Sequence, residues 1–171
     1  MEPLSAYVER TTPADAPLLH AFLAMDMDER WLNRPPDVMR ATFHGFQGEG
    51  FWLLIEDLLT LPTSPPILVE GFTLLPRLVA PLLTHPHQAV WFIATPEFRR
   101  AAFESRGSTY DIPRKTSDPE RALEKLLERD RLFTDSVARE AAALRLPVIR
   151  VDVGTTIDEA AARASEALEL T

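Results

Sequence analysis

The first third of the chain carries apolar residues at helical spacing. Thr12, Pro13 and Asp15 supply a hydroxyl cap, a proline in the first turn and an acid three residues after the cap, which is typical of a helix start. A second helix is predicted from Pro36 to about Leu61, with bends at its glycines. The apolar positions are Leu18, Leu19, Phe22, Leu23, Met27 and Trp31 in the first helix and Val38, Met39, Phe43, Phe46, Leu53 and Leu54 in the second.

Three short apolar runs follow the proline-rich linker 62–66. They lie at residues 67–70, 89–94 and 148–152, and their β-branched and aromatic content predicts buried strands. Helices are predicted between and after them: roughly 75–84, from Thr95 onward, from Ser117 to about Leu146, and after Thr156. Strands that alternate with helices indicate βαβ units. We therefore predict one domain over residues 1–171, a three-layer α/β fold with a small parallel sheet and flanking helices.

Composition excludes several classes of function. The 171 residues contain no cysteine, so thiolate metal sites and thiol nucleophiles are excluded. The net charge of −8 gives no overall attraction to nucleic acid or to an anionic membrane, so neither is an expected partner. The chain begins without a basic and apolar leader pattern, and a cytoplasmic setting is expected.

Three pieces of sequence carry a resemblance to a known family. They are Ile67-Leu-Val-Glu-Gly71, Val90-Trp-Phe-Ile-Ala-Thr-Pro-Glu97 and Leu146-Pro-Val-Ile-Arg-Val-Asp152. Their order, with the intervening helices, resembles the P-loop small-molecule and nucleotide kinases over residues 66–170. The resemblance implies an ATP-dependent phosphotransferase with a small-molecule acceptor, and ATP and magnesium as cofactors of a complete form.

The resemblance also implies roles for individual residues. The strand-end acid Glu70 matches the catalytic position that places magnesium or the acceptor. Residues 12–61 match the acceptor-binding region, residues 66–171 the βαβ core, and residues from about 106 to 131 the lid. Gly154 and Thr155 match the loop beside the base. The lid candidates are Arg106, Arg114, Arg121, Arg129 and Arg131, and the acceptor-binding candidates are Arg30, Arg34, Arg40 and Glu49.

The chain departs from this family where the phosphates would be bound. None of its six glycines begins the pattern G-x-x-x-x-G-K-[ST], and neither Lys115 nor Lys125 follows a glycine. The first strand of such a domain, which would lie between the strands at 67–70 and 90–94, has no counterpart. Three outcomes are expected: the gap closes, a partner chain fills it in a homodimer through the open sheet edge, or the 171 residues are part of a longer protein.

Several of these features also have a purely structural interpretation. Glu70 could simply cap a neighbouring loop. Arg121, Lys125 and Arg129 form a cationic stripe at helical spacing that invites an anion, but acids three residues away could neutralise it. His85 and His87 could be half of a metal site, although no third ligand lies nearby in sequence, and no metal site is predicted. Two functions therefore stay open: a kinase, or a pseudokinase that acts as a non-catalytic binding or regulatory module.

Overall fold

The N-terminal region folds into several short helices. The computed structural model describes residues 8–105 and 112–170. Prolines stand at the first position of the first and third helical segments, and Gly48 and Gly50 adopt positive φ angles of 87° and 81° where the chain turns from one helix into the next. The predicted helical character and the bends at Gly48 and Gly50 are thus confirmed. The predicted helix start at Thr12 is wrong: Asp15 accepts from the Thr12 amide and hydroxyl and closes a turn, and the helix begins at Pro17. The segments are α1 (Pro17–Ala24), a π-helical turn (Glu29–Asn33), α2 (Pro36–Thr42), α3 (His44–Gln47) and α4 (Phe51–Thr60).

The prediction of a strand at residues 67–70 is wrong. This segment has no strand pairing, and the side chains of Ile67 and Leu68 are 47% and 80% exposed. An apolar run becomes a strand only when another strand lies beside it to accept its backbone hydrogen bonds. In the part of the chain that the structure describes, no strand does so here.

The other two predicted strands form a parallel pair. β1 (Trp91–Ala94) lies beside β2 (Val148–Val151), with Trp91 opposite Val148 and Ala94 opposite Val151. The described residues thus contain a two-stranded parallel sheet in a mainly helical molecule, which agrees with a mixed α/β class. The helices around the sheet are α5 (Pro76–Val79), α6 (Pro96–Ser105), α7 (Pro119–Ala143) and α8 (Ile157–Ala167), with 3-10 turns at Ala80–Leu82 and Pro86–Gln88.

The long helix α7 joins the sheet to the N-terminal helices. Asp118 caps it by accepting a hydrogen bond from the Arg121 amide, and Pro119 occupies its first turn. Its buried residues recur every three or four positions, so one wide face of the helix is covered along its length. That face contributes to two apolar clusters: Leu75, Trp91, Ile93, Val137, Ala141 and Leu146 at the sheet, and Phe22, Trp31, Met39 and Leu126 among the N-terminal helices.

Candidate functional site

The carboxyl ends of β1 and β2 meet at one edge of the sheet. The Thr95 amide, just beyond β1, donates to the carbonyl of Val151 at 2.9 Å. The loop after β2 closes on itself, because the Asp152 carboxylate accepts from the Gly154 amide at 2.9 Å and from the Thr155 hydroxyl at 3.1 Å. The two residues predicted to border the base therefore lie in a tight turn at this edge, where open α/β sheets carry their ligand sites.

A cleft of about 410 Å³ adjoins the end of β1 and lies between α6 and α7. Its lining has five carboxylates and three guanidinium groups, a net of −2. A cleft with this balance does not attract a phosphate group by itself. The charged residues are Glu97, Arg99, Arg100, Glu104, Glu124, Glu128, Arg131 and Asp135.

The arginines of this cleft are already paired. Arg131, a predicted lid residue, donates to Glu128 and to Asp135 at 2.7 Å each, and the bond to Glu128 raises the pKa of Arg131 above its usual value. Arg100 binds both carboxylate oxygens of Glu124 at 3.0 Å. A phosphate could use either guanidinium only by displacing a carboxylate of the same protein.

Arg99 links α6 to α7 at the inner side of this cleft. Its guanidinium donates to the Asp130 carboxylate at 3.3 Å and to the Thr134 hydroxyl at 3.1 Å. Arg99 was not among the predicted site residues, although its position in the sequence gives a signal for such a role. The predicted helix start at Thr95 puts residue 99 in the first turn after a strand end, where functional side chains are common.

Arg129 is a buried cation surrounded by aromatic rings. Its side chain is only 9% exposed, and its guanidinium carbon lies 5.0–5.1 Å from the ring centres of Trp31, Phe43 and Phe46. Nε and Nη2 donate to Asp130 at 2.9 and 2.6 Å. Nη1 has no hydrogen-bond partner among the described residues. A buried donor without a partner is costly, so this nitrogen favours a bound acceptor group.

Two further cations join Arg129 where the N-terminal helices meet α7. Arg34 donates to the Thr42 hydroxyl and the Glu29 carbonyl, both at 2.8 Å. Lys125, one turn before Arg129, donates to the Leu32 carbonyl at 2.6 Å and to the Arg34 carbonyl at 3.2 Å. We call Arg34, Lys125 and Arg129 the cationic seam. Burial lowers the pKa of Arg34, Glu29 opposes that shift, and the charge of Arg129 lowers the pKa further, so the two guanidinium groups repel each other.

Arg30 and Glu49, two of the acceptor-binding candidates, hold α1 at its ends. Arg30 donates to the carbonyls of Phe22 and Leu23 at 2.9 and 2.7 Å, at the carboxyl end of α1. The Glu49 carboxylate accepts from the Leu18 and Leu19 amides at 2.8 Å each, at the amino end. These contacts satisfy backbone groups that the helix itself leaves unpaired. A sequence pattern cannot distinguish such a cap from a ligand contact.

The remaining described candidates are not part of the seam. Glu70 is exposed in the unpaired segment and makes no hydrogen bond or ion pair with another described residue. Arg114 and Arg121 are exposed, and Arg106 lies outside the described residues. Arg40 is half-buried in a separate cleft that Arg77 also lines. Of the predicted site residues, Arg34 therefore lies within electrostatic reach of Arg129, and it also donates to the Arg30 carbonyl at 3.2 Å.

Comparison with protein-family models, with curated proteins and with solved structures finds no match to this chain. Within residues 8–105 and 112–170, no three His, Asp or Glu side chains come together as metal ligands would. Nor does any helix in these ranges combine the length and apolar character that crossing a membrane requires.

Proposed function

We propose that this chain provides the acceptor-binding and lid parts of an ATP-dependent phosphotransferase of the P-loop kinase type, with a three-layer kinase-like fold. The observation that carries the proposal is the cationic seam. Arg34 comes from the region that the family resemblance assigns to the acceptor, and Arg129 comes from the region that it assigns to the lid. Their proximity is what a kinase needs to hold a phosphorylated acceptor between these two parts.

The chemistry of the seam suits an anionic acceptor. The charge of Arg129 acts on Arg34, the Lys125 ammonium binds the backbone carbonyl of Arg34, and Nη1 of Arg129 faces no acceptor among the described residues. Phosphoryl transfer depends on positioning and on electrostatic stabilisation more than on covalent catalysis. An acceptor phosphate bound to Arg129 would be fixed beside the aromatic rings that hold that guanidinium, and it would relieve the repulsion between Arg34 and Arg129.

The nucleotide phosphates need a second set of groups. The 171 residues contain no glycine-rich loop with a lysine, so the loop that binds ATP would have to come from outside these residues. In such a complete form, the resemblance gives Glu70 the task of placing magnesium or the acceptor. The exposed position of Glu70 leaves it accessible to that partner segment.

A binding assay tests the acceptor site. Nucleoside monophosphates and sugar phosphates would be titrated against the chain by NMR, and the ligand with the strongest response would be titrated against variants. We expect Arg34→Gln and Arg129→Lys to weaken its affinity about tenfold or more, since each removes a charge-assisted hydrogen bond.

The matched control is Arg163→Ala. Arg163 lies on α8 and donates to the Arg150 carbonyl at 2.9 Å, away from the seam. Circular dichroism would establish that each variant remains folded. If Arg163→Ala weakened the ligand as much as Arg129→Lys, the assignment of the seam would be wrong.

A second function is favoured by one observation, the lack of G-x-x-x-x-G-K-[ST] in the sequence. In that case the chain is a non-catalytic binding or regulatory module that keeps the acceptor site. The DNA upstream of the Met1 codon separates the two functions. An in-frame strand followed by the glycine-lysine pattern supports the kinase, and an in-frame stop codon supports the module.

A further inference from the structure

A second cleft lies on the other side of α7 from the first. It encloses about 210 Å³ between α2, α3, α5 and α7. Glu140 of this cleft follows Arg131 of the first by nine residues, which is two and a half helical turns, so the two clefts use opposite faces of α7. Leu75 and Val137 line this cleft but are only 1% and 9% exposed. Polar atoms therefore provide most of the accessible surface of the cleft.

The charge of this second cleft is opposite to that of the whole chain. Two guanidinium groups, from Arg40 and Arg77, face one carboxylate, from Glu140, in a protein of net charge −8. Glu140 is paired with Arg77 at 3.0 Å. Arg40 has no hydrogen bond or ion pair from its guanidinium to any described residue. The charge of Arg40 is therefore not neutralised, and the lining of the cleft has a net charge of +1.

Hydrogen bonds hold Arg77 and the backbone of Arg40 in place around the cleft. Arg77 donates through Nη2 to the carbonyls of Phe46 and Gln47 at 3.4 and 3.1 Å, so its guanidinium plane is fixed between α3 and α7. The Gln47 amide donates to the Arg40 carbonyl at 3.1 Å, which holds the backbone of Arg40 at the same place. Ser136 is half-buried in the wall, and its hydroxyl has no partner among the described residues.

We propose that this cleft binds a phosphate group through the Arg40 guanidinium, the Ser136 hydroxyl and Nε of Arg77, as a site separate from the cationic seam. Nη1 and Nη2 of Arg77 stay with Glu140 and the backbone carbonyls, so no ion pair has to break. Phosphate has several acceptor oxygens, and guanidinium groups match its geometry. The available volume suits a small oxyanion, and the polar surface gives no place for a large apolar body. Because the three residues belong to α2, α5 and α7, a bound phosphate would connect three helices and stabilise the folded state.

The test uses inorganic phosphate as the probe and the complete 171-residue chain. Phosphate would be titrated at constant ionic strength, with chloride as the balancing anion, and binding followed by the NMR shifts of Arg40, Arg77 and Ser136 and by the melting temperature. We expect saturable shifts and a rise in melting temperature. Arg40→Gln should weaken binding about tenfold or more, because it removes a hydrogen bond between two charged groups. Ser136→Ala should weaken it about threefold, because the hydroxyl is a neutral donor.

Arg139→Gln is the matched control, because Arg139 is an exposed arginine on the same helix and the substitution changes the net charge equally. Its affinity for phosphate should stay unchanged. Methyl phosphate distinguishes the two sources of the ligand. Tighter binding than inorganic phosphate means that a phosphorylated metabolite is the ligand, and weaker binding means free phosphate.

Two results would overturn the proposal. One is a response that rises linearly with phosphate without saturation. The other is equal weakening by Arg40→Gln and Arg139→Gln. If Arg34→Gln abolished phosphate binding while Arg40→Gln left it intact, the ligand would occupy the cationic seam. The second cleft would then be rejected, and the proposed function would gain support.

Discussion

Arg129 is held by aromatic side chains that are far from it in sequence. Arg129 belonged to a recognisable cationic stripe, yet its contacts with Trp31, Phe43 and Phe46 come from two other segments of the chain. Helical spacing relates residues three or four positions apart and contains no information on such distant neighbours. For the same reason, sequence could name Arg30 as a possible ligand residue but could not show that it caps α1.

His44 gives the protein a titratable group in its apolar interior. The residue is 9% exposed, and its ring centre lies 4.7 Å from that of Phe43. Burial lowers the pKa of His44, and the nearby Glu49 opposes this shift. The unfolded chain then binds a proton more readily than the folded chain does.

We expect the free energy of unfolding to fall as pH decreases below about 6.5, the ordinary pKa of histidine. The slope cannot exceed about 1.4 kcal/mol per pH unit, the limit for one proton. Urea denaturation between pH 7.5 and pH 5.5 measures it. His44→Gln should flatten this part of the profile, whereas His85→Gln should leave it unchanged, since His85 is exposed. A profile that His44→Gln does not alter would rule out the histidine as its cause.

At the scale of elements, helix starts could be predicted because caps and prolines act within a few residues of the helix end. The cap at Asp118, the capping box of Thr156 and Glu159, and Pro36 at the start of α2 occur where the sequence pattern put helix starts, whereas Pro13 lies in a turn. Strands depend on distant partners, so the apolar runs at 67–70 and 148–152 looked equivalent in sequence. Among the described residues, the run at 148–152 pairs with another strand, β1, and the run at 67–70 does not.

Glu49 provides a test of how one element is held by another. Its carboxylate, between α3 and α4, accepts from two amides at the start of α1. We expect Glu49→Gln to lower the free energy of unfolding by about 1 kcal/mol, the usual size of an amino-terminal cap. Chemical denaturation measures the loss.

Glu56→Gln serves as the control for this substitution. Glu56 is 60% exposed and pairs with Arg10 at 3.4 Å, so its loss should cost less than about 0.5 kcal/mol. A cost for Glu49→Gln no greater than that for Glu56→Gln would show that the cap does not stabilise α1.

At the scale of the whole molecule, the α/β class and the parallel pairing of β1 with β2 were predictable, and the size of the sheet was not. β1 is paired on one side by β2, while on its other side the described residues form no ladder. The side chain of Phe92, on the face of the sheet opposite Trp91 and Ile93, is 49% exposed. An open edge of this kind is a place where another strand can add.

Amide hydrogen exchange should distinguish the two sides of β1. The Trp91 and Thr95 amides donate to the carbonyls of Pro147 and Val151, so both should exchange slowly in a dilute monomer. The Leu68 amide should exchange quickly. Protection of Phe92 that grows with protein concentration would indicate strand addition in a homodimer, and fast exchange at Trp91 and Thr95 would contradict the pairing itself.

The absence of a glycine-lysine loop leads to a prediction for nucleotide binding. We expect the 171-residue chain to show no micromolar affinity for magnesium-ATP, because that loop supplies most phosphate contacts in P-loop proteins. Isothermal titration calorimetry measures this directly, and a micromolar dissociation constant would refute it.

The position of Arg129 above Trp31 makes the indole an optical reporter. The fluorescence of an indole depends on the electric field of nearby charges, and this cation lies 5.0 Å from the ring centre. An anion that drew Arg129 away from the ring would change the emission of Trp31 without any added label. Trp52 is 44% exposed and contributes a solvent-sensitive background, which Trp52→Phe would remove, whereas Trp91 is 8% exposed and contributes a constant emission. Ligands of the cationic seam could then be screened by emission spectra alone.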